Sequence, residues 1–298
     1  MSFPNGLQAR PIEDLGAEIA NLRVAITGAQ GFLGSHLVAR LTTMGISPVI
    51  LSGDVRRKNT FEATFDLLFH LAGAVPADFR RRKDEARSSN LEGASNAVAA
   101  CLSRNARLVF ISTSGVYRHP SDSPLRETDP LEPVSEYAET KLLGEQMCRE
   151  AAAEMKNGVT VIRLFNPYGL GQSTDLLIGY VLDNLRANRP VEIQTPDAER
   201  DFVHIFDVVE ALLLSARPVP GIQVYNIGSG QAHSIREVVN LIGERLNGLS
   251  NLNFLTNRDP LGKIVADITL ARRELGWSPK VEITDGMDEA VGLKTSFR

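Results

Sequence analysis

The segment Thr27-Gly28-Ala29-Gln30-Gly31-Phe32-Leu33-Gly34 follows an apolar run at residues 22–26 and precedes a helix-like run at residues 35–44. This order is typical of a strand, a glycine turn and the N-terminus of a helix. Backbone N–H groups and the dipole of such a helix attract anions, and glycine lets a phosphate approach the backbone closely. The segment therefore predicts a site for the pyrophosphate of a dinucleotide.

Composition indicates a globular protein. The chain has 298 residues, 43% of them hydrophobic, and a formal net charge of -4, which suits one large core with a smaller lobe. No apolar run approaches the roughly 20 residues that span a bilayer, and the start lacks the basic-then-apolar pattern of a secretion signal. We therefore expect a cytoplasmic protein without a membrane partner.

Charge and cysteine usage argue against two further classes. The basic cluster Arg80-Arg81-Arg82-Lys83 is followed at once by Asp84 and Glu85, which favours a solvated helix start or loop over a nucleic-acid surface. Cys101 and Cys148 lack the partner spacing of a metal or redox motif. We expect reduced thiols, no bound metal and no nucleic-acid partner.

Strand-like and helix-like runs alternate as far as about residue 165 and then give way to pieces punctuated by Pro and Gly. This alternation predicts an α/β fold with a Rossmann-type doubly wound parallel sheet, covered by helices on both faces. The predicted strands are 23–27, 48–51, 67–71, 107–112 and 160–165. The predicted helices after the glycine turn are 88–103, 137–155, 176–187, 205–215 and 234–246.

The same pattern divides the chain into segments. Residues 1–21 form an N-terminal extension to which we assign no function. We expect residues 22–170 to form a dinucleotide-binding domain, with a segment at about 200–228 returning to it. Residues 171–199 and 229–298 are then expected to form a smaller C-terminal α/β lobe that binds the substrate.

Two further clusters carry chemistry. Tyr137 and Lys141 lie four apart in a helix-like run and so share a face, which lets an ammonium favour the ionised form of a phenol. Residues 110–117, Phe-Ile-Ser-Thr-Ser-Gly-Val-Tyr, follow a buried-looking strand. The end of such a strand is where open parallel sheets place ligands. Each cluster alone also has a structural reading, as an ordinary helix pair and as a turn.

Together these motifs resemble an extended short-chain dehydrogenase/reductase of the NAD-dependent epimerase/dehydratase family, over roughly residues 22–285. The glycine pattern of that family corresponds to Gly28, Gly31 and Gly34. Its histidine motif corresponds to His70-Leu71-Ala72-Gly73, and its cofactor-side asparagine to Asn90. Several independent motifs in the order of the family make chance agreement a poor explanation.

The resemblance implies roles for individual residues. Thr113, Tyr137 and Lys141 fall at the catalytic positions of the family. The residues expected to bind an NAD(P) cofactor are Gly28, Gln30, Gly31, Phe32, Leu33, Gly34, Ser52, Asp54, Arg56, Leu71, Ala72, Gly73, Asn90, Tyr137 and Lys141. The residues expected to contact a nucleotide-diphosphate sugar are Ser112, Thr113, Ser114, Asn166, Arg200 and Arg258.

Arg200, Arg258 and Asn166 are the residues that resemble the diphosphate contacts of the family. A guanidinium fork pairs phosphate oxygens through two hydrogen bonds, so two converging arginines suit a diphosphate. The alternatives are surface ion pairs for the arginines and a capping role for Asn166. His204 and Asp207, in the segment that follows Arg200, are expected to be structural, orienting the loop and capping the next helix.

One departure from the family concerns the reaction. In the sugar 4,6-dehydratases of the family the catalytic threonine is followed by Asp and Glu, and in its nucleotide-sugar acid decarboxylases by Ser and Glu. Ser114 and Gly115 follow Thr113 here. The carboxylate that dehydration would require is missing at that place, so dehydration and decarboxylation are disfavoured.

A second departure concerns the cofactor. The ribose-binding acid of the family would fall at Ser52, and the segment from there to His70 is shorter than usual, as if one strand and its loop had been lost or fused. Asp54 could take over one adenosine contact. Arg56, with its basic neighbours, could instead meet a 2′-phosphate or lie in a solvated loop. The neutral residue beside basic ones favours NADP over NAD.

These departures rank the possible functions. An adenosine pocket with fewer contacts favours exchange of the cofactor at each turnover. The leading prediction is therefore an NAD(P)-dependent reductase of a nucleotide-diphosphate 4-keto-deoxysugar, acting at C4. An NAD-dependent nucleotide-sugar 4-epimerase is the alternative, and a non-catalytic regulatory or scaffold protein is the second alternative. In either enzyme, Tyr137 would exchange the proton with the C4 oxygen, aided by Lys141 and Thr113.

A homodimer is also implied by the resemblance. Relatives pair through the two long helices that correspond to residues 88–103 and 137–155. Small side chains would permit close approach of these helices, although they would equally suit packing on the sheet. The residues concerned are Ala94, Ala97, Ala99, Ala100, Ala151, Ala152 and Ala153.

Overall fold

The computed structural model describes residues 18–119, 123–255 and 262–294. Most of the predicted N-terminal extension, and Arg258 of the predicted substrate site, lie outside the described residues.

The secondary structure follows the predicted alternation. The strands are β1 (Val24–Thr27), β2 (Val49–Leu51), β3 (Leu67–His70), β4 (Arg107–Thr113), β5 (Val159–Leu164), β6 (Asn166–Tyr168), β7 (Val191–Ile193), β8 (Glu199–Arg200), β9 (Phe202–His204), β10 (Ile222–Ile227), β11 (His233–Ser234) and β12 (Leu252–Phe254). The α-helices are α1 (Phe32–Thr43), α2 (Pro76–Arg81), α3 (Lys83–Arg104), α4 (Glu136–Ala152), α5 (Leu177–Arg186), α6 (Ile205–Leu214), α7 (Ile235–Arg245), α8 (Thr269–Leu275) and α9 (Ile283–Val291).

Six strands of the described chain form one parallel sheet in the order β10-β5-β4-β3-β1-β2. This arrangement confirms the predicted fold class. β2 is an edge strand, and the chain passes from it to β3 through a single 3-10 turn, Lys58–Phe61. The structure thus explains the short segment after Ser52, because among the described residues no strand lies beyond β2 on that side.

The sheet is covered on both faces. β1, β3 and β5 are buried along their whole length, as expected for parallel strands between two layers of helices. One apolar cluster includes residues of α1 and α6, and a second includes residues of α3 and α4. These two clusters hold the strand ends, and hence the predicted site residues, in fixed register.

Most of the predicted alanine stripe packs against the sheet. Ala94, Ala97, Ala100 and Ala152 belong to the buried cluster that contains α3 and α4. These side chains therefore support the sheet-packing alternative, and the homodimer stays a prediction. The two cysteines, free thiols as expected, lie in the same cluster, and burial raises the pKa of both.

Several elements differ from the sequence prediction. α3 begins at Lys83 rather than at residue 88, because its first turn is charged and carries no apolar periodicity. The acids of that turn suit the helix dipole. α2, α8 and α9 were not predicted, and the basic cluster at residues 80–83 spans the end of α2 and the start of α3.

A third apolar cluster lies in the C-terminal part of the chain. It includes residues of α5, α7, α9 and the small paired strands β7 and β12. This third cluster suits the core of the predicted substrate lobe, whose boundaries stay a prediction. Within the described ranges, none of the helices combines the length and the apolar character needed to cross a bilayer.

Gly144 lets α4 approach the sheet closely. A Cβ atom there would lie 2.5 Å from Cζ of Phe110 on β4. A contact this short places the cost of overpacking in the upper part of its range, about 2–3 kcal/mol, and the ~1 kcal/mol that alanine gains over glycine in a helix offsets part of it. We expect Gly144→Ala to lower the free energy of unfolding by roughly 1–2 kcal/mol in urea denaturation.

The exposed residue Gln146 of α4 supplies the control. Gln146→Ala should change the stability by less than about 0.5 kcal/mol. A Gly144→Ala variant as stable as the wild type would contradict this close packing.

Candidate active site

The glycine turn is compressed between two parts of the backbone. Gly28 has a φ of +71°, and a Cβ there would lie 2.6 Å from the backbone nitrogen of Ala72. A Cβ on Gly34 would lie 2.1 Å from the carbonyl oxygen of Gly28. Only glycine fits either position, so β1, α1 and the loop after β3 meet at van der Waals distance.

The N-terminus of α1 is built to receive an anion. Gly31 is its N-cap and supplies no side-chain hydrogen bond, and the first turn of the helix contains no acidic residue. Gln30 is exposed, and Phe32 and Leu33 are half-buried. The glycine cradle, whose space a Cβ would fill, and this uncapped helix start fit a pyrophosphate.

A cavity of about 300 Å³ lies beside this turn. It is where the resemblance places the adenosine of the cofactor. Asp54 lines it, whereas Ser52 is exposed and is not among its lining residues. The residues that line the cavity are Gly53, Asp54, Val55, Ala72, Gly73, Ala74, Asp78, Arg82, Glu85, Ala86 and Ser89.

Arg56 is bound to Asp54. Its Nη2 lies 2.5 Å from Oδ2 of Asp54, and its Nε lies 2.9 Å from both carboxylate oxygens. The guanidinium holds the pKa of Asp54 at about 2. Two predicted cofactor residues thus pair with each other, and Asp54 already neutralises the positive charge of Arg56 that a 2′-phosphate would need.

Asn90 fixes the loop that follows β3. Its Oδ1 accepts a hydrogen bond from the Ala74 backbone N–H at 2.7 Å, and its Nδ2 donates to Oγ1 of Thr140 at 2.9 Å. A Cβ on Gly73 would lie 2.9 Å from Asn90 Oδ1 and 3.3 Å from Lys141 Nζ. Asn90, Gly73 and Lys141 therefore meet at one place, as the resemblance implies. Leu71 and Ala72 lie half-buried at the start of this loop.

Lys141 is a buried cation. Its side chain has an ammonium 5.5 Å from the ring centroid of Phe110, and His70 stacks on the same ring at 5.9 Å. Within the described part of the chain, Lys141 forms no ion pair. Burial lowers the pKa of Lys141 to about 8 and that of His70 to about 3, so the histidine is neutral.

Tyr137 and Thr113 are brought together across α4 and β4. Their side chains interact, and the ring of Phe79 packs edge-on against Tyr137 with centroids 6.0 Å apart. Burial raises the pKa of Tyr137 to about 12, while the interaction with Thr113 acts in the opposite direction. The sequence predicts that Lys141 lowers this pKa; in the structure the pKa is raised, because the cost of burying a phenolate outweighs the effect of Thr113.

Neighbours of Thr113 have different surroundings. Ser114 is half-buried in a short 3-10 turn, and Thr113 Oγ1 accepts a hydrogen bond from the Gly115 N–H at 3.2 Å. Ser112 is buried, and its hydroxyl donates to Oε1 of Glu145 at 2.5 Å. Because successive side chains of a strand point to opposite faces, Ser112 is directed away from Thr113 and is not brought to the cleft.

Two predicted substrate residues approach each other through strand pairing. Asn166 on β6 donates from Nδ2 to the carbonyl oxygen of Asp201 at 2.8 Å. Arg200, just before β9, donates from Nη1 to the carbonyl oxygens of Glu199 at 2.8 Å and Gly262 at 2.7 Å. β6 pairs with β9, so the two segments form one surface.

Asp201 is a structural hub that the sequence motif contained but did not single out. Its buried carboxylate accepts hydrogen bonds from the backbone N–H groups of Ser229 at 2.5 Å, Gly230 at 3.0 Å and Ala266 at 3.1 Å. Burial raises its pKa. These bonds tie the end of β10 to the segment that carries Arg200.

His204 has the predicted capping role, whereas Asp207 is structural in a different way, because it holds a distant segment of the chain. His204 Nδ1 accepts a hydrogen bond from the Phe206 N–H at 3.3 Å and caps α6, while Nε2 lies 2.7 Å from Glu289. Asp207 accepts from the backbone N–H groups of Lys280 and Val281 at 3.0 and 3.1 Å.

α2 adds residues at the cleft that no sequence pattern announced. Besides Phe79, it carries Arg81, whose Nη2 lies 2.5 Å from Oδ1 of Asp175. This ion pair joins the helix next to the cofactor cavity to the start of the predicted substrate lobe. No cluster of three or more metal-binding side chains occurs among the residues that the structure describes.

The glycine cradle, the Thr113–Tyr137 pair and the buried Lys141 agree with the comparison to known proteins. The model of the family described as "NAD dependent epimerase/dehydratase family" matches residues 24–228. The chain belongs to this family. Its members at this similarity modify nucleotide sugars with a nicotinamide cofactor.

Individual relatives differ in reaction. A UDP-glucose 4-epimerase of Azospirillum brasilense is 30% identical over 316 residues, covering 90% of each chain. A dTDP-6-deoxy-L-talose 4-dehydrogenase (NAD(P)(+)) of Kitasatospora kifunensis is 29% identical over 306 residues, covering 91% of this chain and 95% of its own. The solved structure of MoeE5 in complex with UDP-glucose and NAD superimposes with a TM-score of 0.82 at 29% identity, covering 90% of this chain and 97% of its own.

The low pKa of Lys141 makes a prediction about stability. The unfolded chain binds more protons than the folded protein between pH 8 and 10.5, so stability rises with pH across that range. Charged Lys141 therefore destabilises the fold at neutral pH. We expect Lys141→Met to raise the free energy of unfolding of the cofactor-free protein by roughly 1–3 kcal/mol at pH 7.

This gain should shrink as the pH approaches about 10.5. Urea denaturation at several pH values measures it, and exposed Lys156 supplies the control variant Lys156→Met. Equal stability of wild type and Lys141→Met at pH 7 would show that burial of the ammonium costs nothing.

Proposed function

We propose that this protein reduces a nucleotide-diphosphate 4-keto-deoxysugar at C4 with a nicotinamide cofactor. The observation that carries the proposal is the pairing of Thr113 with Tyr137 beside the buried Lys141, at the end of β4. A phenol and a hydroxyl meet there at the place where parallel sheets bind their ligands.

The cofactor would be held by three groups of residues. The cradle of Gly28, Gly31 and Gly34 suits the pyrophosphate, and the cavity lined by Asp54 suits the adenosine. Lys141, without an ion pair in the described chain and next to Gly73, suits the hydroxyls of the nicotinamide ribose. When bound, the nicotinamide supplies the hydride that C4 accepts.

Tyr137 would deliver the proton. The C4 carbonyl becomes an alcohol when its carbon gains a hydride and its oxygen gains the phenolic proton of Tyr137. Thr113 would donate a hydrogen bond to the same oxygen as negative charge develops on it. The nearby ammonium of Lys141 favours the phenolate that remains until solvent reprotonates it.

Dehydration and decarboxylation remain disfavoured. A Cβ on Gly115 would lie 3.2 Å from Cβ of Ala138, so there is little room for the glutamate that such reactions would place there. The diphosphate of the nucleotide sugar would be contacted by Asn166 and Arg200 and, by resemblance, by Arg258.

A 4-epimerase is the second candidate. It is favoured by the 30% identity to a UDP-glucose 4-epimerase over 90% of the chain. An epimerase must retain its cofactor through oxidation and re-reduction of one sugar, whereas a reductase exchanges it. Denaturing the fresh protein and identifying released dinucleotide by mass therefore separates the two: near-stoichiometric NAD supports the epimerase, and an empty protein supports the reductase.

We also propose a cytoplasmic homodimer that pairs through α3 and α4. This follows from the family resemblance, and Ala99 on α3 and Ala153 directly after α4, both exposed, are available to such a contact. A non-catalytic role is not favoured because Thr113, Tyr137 and Lys141 are all retained and assembled.

The cofactor preference depends on Asp54. Sequence reasoning favoured NADP, but the double contact between Asp54 and Arg56 supports NAD(H). A carboxylate at the cavity can accept the ribose hydroxyls and repels a 2′-phosphate. We therefore propose that Asp54 selects NAD(H) and that Arg56 holds its carboxylate in place.

Replacement of Tyr137 tests the reaction. Tyr137→Phe removes the proton donor and keeps the ring that packs on Phe79. We expect kcat to fall about 10²–10⁴-fold, with the Kd for the cofactor nearly unchanged. Tyr180→Phe, on α5, is the matched control and should retain activity. Turnover near the wild-type rate in Tyr137→Phe would contradict the assignment.

Replacement of Asp54 tests the cofactor preference. Asp54→Asn removes the carboxylate and releases Arg56, so we expect the ratio of NADPH to NADH affinity to rise about tenfold or more. Glu85→Gln removes another carboxylate from the same cavity without breaking the double contact and should change the ratio less. Fluorescence titration with both cofactors measures it, and an unchanged ratio in Asp54→Asn would contradict the proposal.

A further inference from the structure

A network of buried polar side chains, Ser112, Glu145 and Arg163, lies directly behind Thr113. Ser112 donates to Glu145, and Glu145 pairs with Arg163, whose Nη2 and Nε lie 2.7 and 3.0 Å from its two carboxylate oxygens. The side chains of Glu145 and Arg163 are 3% and 2% exposed. Ions are almost never buried so completely unless they are paired.

This network joins the three elements that carry the proposed site. Ser112 immediately precedes Thr113 on β4. Glu145 lies one helical turn after Lys141 on α4, and Arg163 is near the end of β5, just before Asn166. One carboxylate therefore connects the strand of the threonine, the helix of the tyrosine and lysine, and the strand that leads to the substrate segment.

Arg163, at the far end of this network, is also held by hydrogen bonds. Arg163 Nη1 donates to the hydroxyl of Tyr117 and to the carbonyl oxygen of Glu127, both at 3.0 Å. The Tyr117 hydroxyl donates to Oδ1 of Asn226 on β10 at 2.6 Å. With these bonds Arg163 cannot shift without leaving a buried donor unsatisfied, so Glu145 is held from behind.

Stability alone is a weak reason for such an arrangement. Replacing a buried ion pair with apolar side chains of similar volume is often neutral or stabilising. Unlike apolar packing, the ion pair fixes the relative orientation of the elements it joins, because hydrogen bonds set both distance and angle. Ser112 and Thr113 share a peptide bond, so fixing one hydroxyl fixes the strand that presents the other.

We propose that Glu145, acting through Ser112, is a positioning residue that aligns the Thr113 hydroxyl with Tyr137. The proposal rests on the function proposed above. Neither Glu145 nor Ser112 touches the substrate; both act through Thr113. Their contribution is therefore to the rate of the chemical step rather than to binding of sugar or cofactor.

Ser112→Ala is the first test because it removes one bond and leaves the ion pair intact. We expect kcat for the 4-keto sugar nucleotide to fall about tenfold, since small misplacements of a catalytic group are costly. KM and the Kd for the cofactor should stay within about twofold. Ser215→Ala removes an equally buried hydroxyl, bonded to the Leu212 carbonyl at 2.7 Å away from the site, and should leave all three constants unchanged.

A double-mutant cycle with Thr113→Ala separates positioning from a merely structural role. If Ser112 acts only through the Thr113 hydroxyl, Ser112→Ala will cause less than about a twofold further loss of kcat in the Thr113→Ala background. A full tenfold loss in that background, or no loss in the wild-type background, would overturn the proposal.

Glu145→Asp provides an independent variant, since it keeps the charge opposite Arg163 and shortens the reach to Ser112. The same loss of kcat and the same dependence on Thr113 are expected; an additive loss would again overturn the proposal. The outcome is distinct from failure of the proposed function. That failure would appear as wild-type turnover in Tyr137→Phe and Thr113→Ala, whatever Ser112→Ala does.

Discussion

The contact between the glycine turn and the loop after β3 governs the rest of the structure. Gly28 lies so close to Ala72 that no side chain fits between them, and Gly34 abuts the carbonyl of Gly28. The two segments follow β1 and β3, which pair along the sheet, so a side chain at Gly28 would force them apart. Next to this contact the start of α1 lacks a side-chain cap, so the same turn closes the fold and leaves backbone N–H groups that suit an anion.

Burial dominates the chemistry at the other end of the site. It lowers the pKa of Lys141 to about 8 and raises that of Tyr137 to about 12. A buried ammonium without an ion pair in the described chain is unfavourable for stability. In the proposed function, the hydroxyls of cofactor and sugar would complete the hydrogen bonding of these side chains.

The sequence predicts those features that depend on local pattern. Strand positions, the glycine turn and the shared face of Tyr137 and Lys141 follow from apolar runs and helical spacing, and the structure agrees with them. Two departures from the family motifs, at Ser52 and Gly115, were visible as well. The position of β2 at the edge of the described sheet and the tight packing of Gly115 on Ala138 account for the two departures.

Other features depend on which distant side chains meet, and no local pattern reports that. Arg56 could point to a ligand or to Asp54, and only the folded loop makes the choice. Ser112 reads as a site hydroxyl from its neighbours, yet the pleat turns it towards Glu145. α2 is too short and too charged for periodicity to identify, so the contact of Phe79 with Tyr137 was not foreseen.

The central claim is hydride transfer to C4 of a nucleotide-diphosphate sugar. Its most direct test is incubation of the protein with a nicotinamide cofactor that carries deuterium at its transferable position and a panel of 4-keto sugar nucleotides, followed by mass spectrometry and NMR of the sugar. The account predicts one deuterium, located at C4. Deuterium at another carbon, or none on any of the sugars, would contradict it.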